Sequence, residues 1–239
     1  VRAGVGLDNI DLEAARDLGV RIYNTPEAPL ESVAELAIGL MIVAARRVVE
    51  LNLYARQGKW VKGTGVELAG KSLLIAGLGR IGSRVAELAR AFKMRILAYD
   101  LPEVLKARRG LAEPVEDLCE GLSQADFISI HLPLTPETRL LFNRETLKCI
   151  KPGAILVNTG RGHVVDPQAL LEAIEEGRIA AAALDVLQEE PPTSGPELEL
   201  LNHPRVIVTP HIGSQTREAQ DRIALHAAKI TLKVLGVEP

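Results

Sequence analysis

The chain has 239 residues, 47% of them hydrophobic, and a formal net charge of −3. That length buries a substantial core, in one large domain or in one domain with fragments of another. No long basic run is present, which argues against nucleic acid or an anionic membrane as a partner. The longest apolar run in the N-terminal third, residues 36–45, falls well short of the about 20 residues a membrane-crossing helix needs.

The chain opens on "VRAGVGLDNID", without methionine, already inside what reads as a strand–loop–helix. No signal peptide is visible there, and a processed chain or a piece of a longer protein is expected. Residues 31–50, "ESVAELAIGLMIVAARRVVE", predict one helix that is apolar nearly all round. Such a helix is buried on most sides, as a core helix or as a subunit interface. Trp60, just beyond it in "RQGKW", is an interface anchor or ordinary packing.

From residue 71 apolar runs alternate with helical spacing. Strands are predicted at 71–77, 94–100, 125–133, 153–160, 179–186 and 205–211, and helices at 79–92 and 166–177. The runs are continuously apolar, as in parallel strands buried on both faces. Asp166-Pro167 reads as an N-cap followed by proline at the first helical position, and Gly177 as the residue after the helix end. "EEPPTSGPE", 189–197, reads as a loop breaking the alternation. Cys119 and Cys149 lie outside any CxxC; they either pair or, as the default for a reducing cytoplasm, remain two free thiols.

Gly77, Gly79 and Gly82 form G-x-G-x-x-G between a strand and a helix, with Asp100 at the end of the next strand. That context is the dinucleotide fingerprint: a tight turn, close backbone approach to a pyrophosphate, close helix packing, and a carboxylate for the ribose hydroxyls. The carboxylate would repel a 2′-phosphate, so NAD is expected over NADP. Without its context the same motif would be only a tight turn.

Four other residues follow strands: Arg161 in "VNTGRGHVVD", Asp185 and Glu190 in "ALDVLQEEPP", and His211 in "VIVTPHIGS". Ligands of open parallel sheets bind beyond the carboxyl ends of the strands. A guanidinium matches a carboxylate, and an imidazole titrating near neutrality, oriented by a carboxylate, exchanges a proton. Arg161, Glu190 and His211 together suit reversible reduction of a 2-keto acid. On spacing alone His131, which ends its own strand, remains a rival, and Arg161 could be a surface arginine.

"GLGRIG…YD", "HLPLTPET", "VNTGRGHVVD", "ALDVLQEEPP" and "TPHIGSQT" occur in the order and spacing of the D-isomer-specific 2-hydroxyacid dehydrogenases, and "RAGVGLDNIDLEAA" and "YNTPEA" extend the resemblance over essentially the whole chain. The resemblance implies an α/β doubly wound parallel sheet, a Rossmann NAD-binding domain, at 26–214. Remnants of a flavodoxin-like substrate domain are implied at 1–25 and 215–239, most of that domain's N-terminal segment being absent. It implies Arg161 as the substrate holder, Glu190 as the tuning carboxylate and His211 as the acid/base. It implies a cofactor set of Gly77, Gly79, Arg80, Ile81, Gly82, Asp100, His131, Pro133, Thr159, Gly160, Asp185 and Gly213, which moves His131 to the cofactor side. Val5 and Gly6 are implied to meet the substrate carboxylate through their backbone, and no metal is expected. Leu187 stands where the family usually has Phe.

The expected activity is NAD-dependent hydride transfer on a D-2-hydroxy acid, D-3-phosphoglycerate first and glyoxylate or hydroxypyruvate second, in a cytoplasmic homodimer or higher homo-oligomer. A corepressor-like NAD(H)-binding protein that acts through protein partners is the rival from another class.

Overall fold

The computed structural model describes residues 1–237. The chain divides into two compact units, one of 1–33 with 212–239 and the other of 34–211. The divisions expected from the sequence lay at 25/26 and 214/215. Residues 26–33 group with the termini for a local reason: the Arg222 guanidinium donates to the Ala28 carbonyl at 2.9 Å.

The larger unit is built on seven strands: β1 Ser72–Ala76, β2 Arg95–Tyr99, β3 Glu113–Pro114, β4 Phe127–Ile130, β5 Ala154–Asn158, β6 Ile179–Leu184 and β7 Val206–Val208. They form one sheet in the order β3-β2-β1-β4-β5-β6-β7, and every pairing is parallel. The order reverses between β1 and β4, the switch point where such sheets take their ligands.

Alternate residues of the strands other than β3 feed two cores. Leu73, Ile75, Ile96, Phe127, Ile155 and Val157 join helix α2 (Leu30–Ala45) and helix α4 (Arg80–Ala91) on one face. Leu74, Leu97, Ile128, Ile130, Leu156 and Leu184 join the opposite core. Its helices are α6 (Leu118–Gln124), α7 (Arg144–Lys148), α8 (Pro167–Glu175) and α9 (Gly195–Asn202). Both faces are therefore dry, which is why the strands read as unbroken apolar runs. The cap of α8 is as its sequence suggests: the Asp166 carboxylate accepts from the N–H groups of Gln168 and Ala169.

The structure corrects four expectations. β3, an exposed two-residue edge strand, has no apolar run to announce it. The helix expected over 31–50 is two, α2 and α3 (Val48–Arg56), broken where Arg47 takes a left-handed φ of 51°. The Ala45 carbonyl, which would bond the next helical turn, instead accepts from the N–H of Val66 at 3.0 Å. Gly65 allows that approach, since a Cβ there would lie 2.5 Å from the Ala45 oxygen. The third correction is α9, which begins inside the expected loop; Pro196 sits in its first turn, where a missing N–H leaves no bond unmade. The fourth concerns the cysteines: Cys119 and Cys149 form a disulfide, with Cα atoms 5.2 Å apart. It joins α6 to the end of α7, an adjacency that a sequence separation of 30 conceals.

The smaller unit holds α1 (Leu12–Asp17), capped by Asp11, and α10 (Arg217–Leu235), capped by Thr216, whereas α5 (Pro102–Ala107) belongs to the larger unit. Where the sequence suggests an opening strand, there is a single parallel bridge between Arg2 and Asn24.

Candidate active site

The glycine loop follows β1. Gly77 has φ +99°, and a Cβ on it would lie 2.7 Å from the His131 carbonyl carbon. A Cβ on Gly82 would lie 1.9 Å from the Gly77 oxygen, so α4 packs onto the loop only as glycine permits. A Cβ on Gly79 would meet nothing within 4 Å. Gly79 caps α4 with no side-chain bond to the helix N-terminus, leaving backbone open at the place an anion favours. Arg80 and Ile81 form the first turn behind it. The Asp100 carboxylate, at the end of β2, accepts from the N–H of Leu78 at 2.6 Å and of Leu101 at 2.7 Å. It is thereby fixed beside the loop. These features fit a dinucleotide.

His131 follows β4. Its Nε2 lies 2.8 Å from the Ser129 hydroxyl and its Nδ1 3.3 Å from that of Thr159. Burial pushes the imidazole down from its usual 6.5 to about 3. It is thus neutral at pH 7, a poor proton donor but a firm tie between the ends of β4 and β5. Pro133, further on, is exposed, and its carbonyl accepts from the Thr138 hydroxyl.

Arg161 leaves β5 through a turn that Asn158 organises. The buried Asn158 carboxamide accepts from the N–H of Gly160 and donates to the Arg161 carbonyl, both at 3.0 Å. Two glycines flank the arginine for packing reasons. A Cβ on Gly160 would lie 3.1 Å from the Ile130 oxygen, and one on Gly162 would lie 2.0 Å from the Leu187 carbonyl carbon. The loop after β5 is therefore seated directly on the backbone of the loop after β6.

Asp185 ends β6 and is buried; it accepts from the Thr209 hydroxyl at 2.5 Å, while its carbonyl accepts from the His211 N–H at 3.0 Å. Glu190 curls back on its own loop. One carboxylate oxygen accepts from the N–H of Leu187 at 3.0 Å, and the other lies 2.9 Å from His211 Nδ1. An ionised carboxylate only accepts, so Nδ1 carries the proton in that contact and Nε2 is left for chemistry. His211 has φ +53°, an uncommon conformation outside glycine.

Arg161, Glu190 and His211 thus follow β5, β6 and β7, three adjacent strands, and Glu190 and His211 touch. Val5, Gly6 and Gly213 belong to the other unit. There the Val5 carbonyl accepts from the Asn24 side chain at 2.7 Å, and Gly213 is buried. Sequence reading missed Asn158 and Thr209, which hold Arg161 and Asp185 in place. A polar residue closing the apolar run "AILVN" was the one signal available for Asn158. Among the described residues no cluster of His, Cys, Asp or Glu could hold a metal ion, and no helix is long and apolar enough to cross a membrane.

Residues 38–213 match the family model of the NAD binding domain of D-isomer specific 2-hydroxyacid dehydrogenases. The chain belongs to that family. Its domain is the family's NAD-binding one, and the family is one of oxidoreductases. The chain is 45% identical over 240 residues to a hydroxypyruvate reductase of Thermotoga maritima, covering 99% of this chain and 77% of that one. It is 47% identical over 241 residues to a D-3-phosphoglycerate dehydrogenase of Methanocaldococcus jannaschii, but spans only 45% of it. A D-lactate dehydrogenase of Aquifex aeolicus, solved in complex with NAD and lactic acid, superposes with a TM-score of 0.87 at 32% identity, over 98% of this chain and 75% of that one. The family's members thus differ in the acid they use.

Proposed function

We propose that the protein moves a hydride between NAD and C2 of a D-2-hydroxy acid, with D-3-phosphoglycerate as the substrate and serine biosynthesis as the setting. The observation that carries the chemistry is the 2.9 Å contact of His211 Nδ1 with Glu190. It leaves Nε2 to give a proton to the substrate oxygen in reduction and to take it back in oxidation. Glu190 fixes the ring's orientation through its contact with Nδ1. Arg161 holds the substrate carboxylate in its planar fork. Bound NAD supplies the hydride acceptor or donor; the glycine loop, Asp100 and Asp185 hold and orient it.

Hydroxypyruvate, or glyoxylate, is the second reading. It is favoured by the Thermotoga relative, of which this chain covers the larger share. The deciding assay follows NADH formation with D-3-phosphoglycerate against NADH consumption with hydroxypyruvate and with glyoxylate, using full-length protein. His211→Ala is expected to lower turnover by about 10²–10⁴-fold. Turnover within tenfold of wild type would remove His211 from the acid/base role.

The working form is proposed to be a homodimer. α2 is consumed by its own core, but α3 and the segment after it expose Val48, Val49, Leu53, Val61 and Trp60, the last at 85%. A tryptophan and aliphatic residues left in water on neighbouring segments suit a subunit contact. Light scattering that finds a monomer at high concentration would contradict this. The cytoplasm is the proposed compartment, as suits a small-molecule reaction on NAD; the Cys119–Cys149 bridge is the feature that pulls the other way.

A further inference from the structure

Glu197 has no place in the chemistry described so far, yet it is a carboxylate only 8% exposed. It stands in the first turn of α9 and lines a narrow cleft with Gly162, Leu187 and Leu200. Its two oxygens are both used: Oε1 accepts from the N–H of Gln188 at 2.6 Å and Oε2 from that of Glu189 at 2.9 Å. Those are the two peptide groups immediately before Glu190. Charge-assisted bonds to successive N–H groups are among the stronger hydrogen bonds a loop can receive.

The same loop has few other holds. The Gln188 side chain donates to the Val165 carbonyl at 2.8 Å, and Gly162 presses on the Leu187 carbonyl. The contact of Glu190 with the Leu187 N–H is internal to the loop. The outside holds reach Leu187 and the Gln188 side chain, and neither fixes the peptide groups next to Glu190. Glu197 supplies an outside anchor, one residue from the group that meets His211.

We propose that Glu197 is a positioning residue: by clamping the N–H groups of Gln188 and Glu189 it holds Glu190 at bonding distance from His211. The inference rests on the proposed roles of Glu190 and His211. It predicts that loosening the clamp lowers kcat through Glu190 and leaves cofactor binding alone, since the two bonds of Glu197 go to Gln188 and Glu189.

The test is a double-mutant cycle of Glu197→Gln with Glu190→Gln in full-length protein, reading kcat and KM with hydroxypyruvate and NADH, and NADH affinity by fluorescence. Glutamine keeps the size of the side chain but replaces one acceptor by a donor facing an N–H. The expected result is about a tenfold loss of kcat from E197Q in the wild-type background, less than twofold in the E190Q background, and NADH affinity within twofold throughout. Equal losses in both backgrounds, or a loss of NADH affinity matching the loss of turnover, would mean that Glu197 only supports the fold and would overturn the proposal. A costly E190Q beside a harmless E197Q would overturn it while sparing the role of Glu190. A harmless E190Q would remove the role of Glu190 itself, and the positioning role with it. If E197Q does not fold, Glu197→Asp, which keeps the charge and shortens the reach by one methylene, is read in the same cycle.

Discussion

Asn158 holds Arg161 by the backbone, with its carboxamide bridging the Gly160 N–H and the Arg161 carbonyl. The guanidinium is thus carried on a turn whose shape is set by a buried side chain at the end of the same strand, three residues earlier. Asn158→Leu keeps the branched shape but leaves the Gly160 N–H unpaired, at about 1–3 kcal/mol if it stays buried, and leaves the Arg161 carbonyl only the 3.3 Å bond from the Val164 N–H. The expected outcome is a lowered thermal midpoint and a kcat/KM for the keto acid reduced more than tenfold. NADH affinity, read by fluorescence, should stay within twofold.

Two glycine substitutions should separate cofactor binding from folding. At Gly162 a Cβ meets backbone at 2.0 Å, which cannot swing aside, so Gly162→Ala should destabilise the fold by about 1–3 kcal/mol or more in a urea titration. At Gly79 a Cβ meets no protein atom within 4 Å. Gly79→Ala should leave the urea midpoint unchanged and weaken NAD binding, because the new methyl stands where the pyrophosphate approaches. Equal stability loss in both variants would contradict this division.

His131 makes stability depend on pH in a defined direction. Its folded value of about 3 lies below the unfolded 6.5, so between those limits the unfolded chain binds the extra proton. Stability from this group is complete above pH 6.5 and is lost as the pH falls toward 3. By pH 5 the loss is about 2 kcal/mol. Wild type and His131→Asn, unfolded by urea at pH 7 and pH 5, should therefore differ in their pH dependence by about that amount. A difference near zero would place the imidazole in contact with water.

The Cys119–Cys149 bridge closes a loop of thirty residues between α6 and α7. In the chain-entropy account that is worth about 3–4 kcal/mol, drawn from the unfolded state. The double variant Cys119→Ser, Cys149→Ser should melt on the order of 10 °C lower by calorimetry. Wild type in excess dithiothreitol should match it.

The sheet was legible because its strands are buried on both faces and so leave unbroken apolar runs; β3 was not, because Glu113 and Pro114 are exposed and bury nothing. The break between α2 and α3 carries no proline or glycine of its own. Its cause is Val66 reaching the Ala45 carbonyl, twenty-one residues away in sequence. The same division runs through the candidate site. Gly77, Gly79 and Gly82, and the strand-end Arg161, Glu190 and His211, are marked by residue type and place. Asn158, Thr209 and Glu197 act through side-chain bonds to groups brought near only by folding. The flanking glycines of Arg161 were visible, but their reason, close passage over Ile130 and Leu187, was not.

The left-handed backbone at His211 sets this residue against its own fold. An imidazole-bearing residue there stands about 1–2 kcal/mol above what glycine would need for the same turn. Selection for thermal endurance alone would therefore drift away from histidine at this position, toward glycine or asparagine. A descendant freed from the need for turnover would be expected to lose it early, while keeping the glycine loop and the sheet.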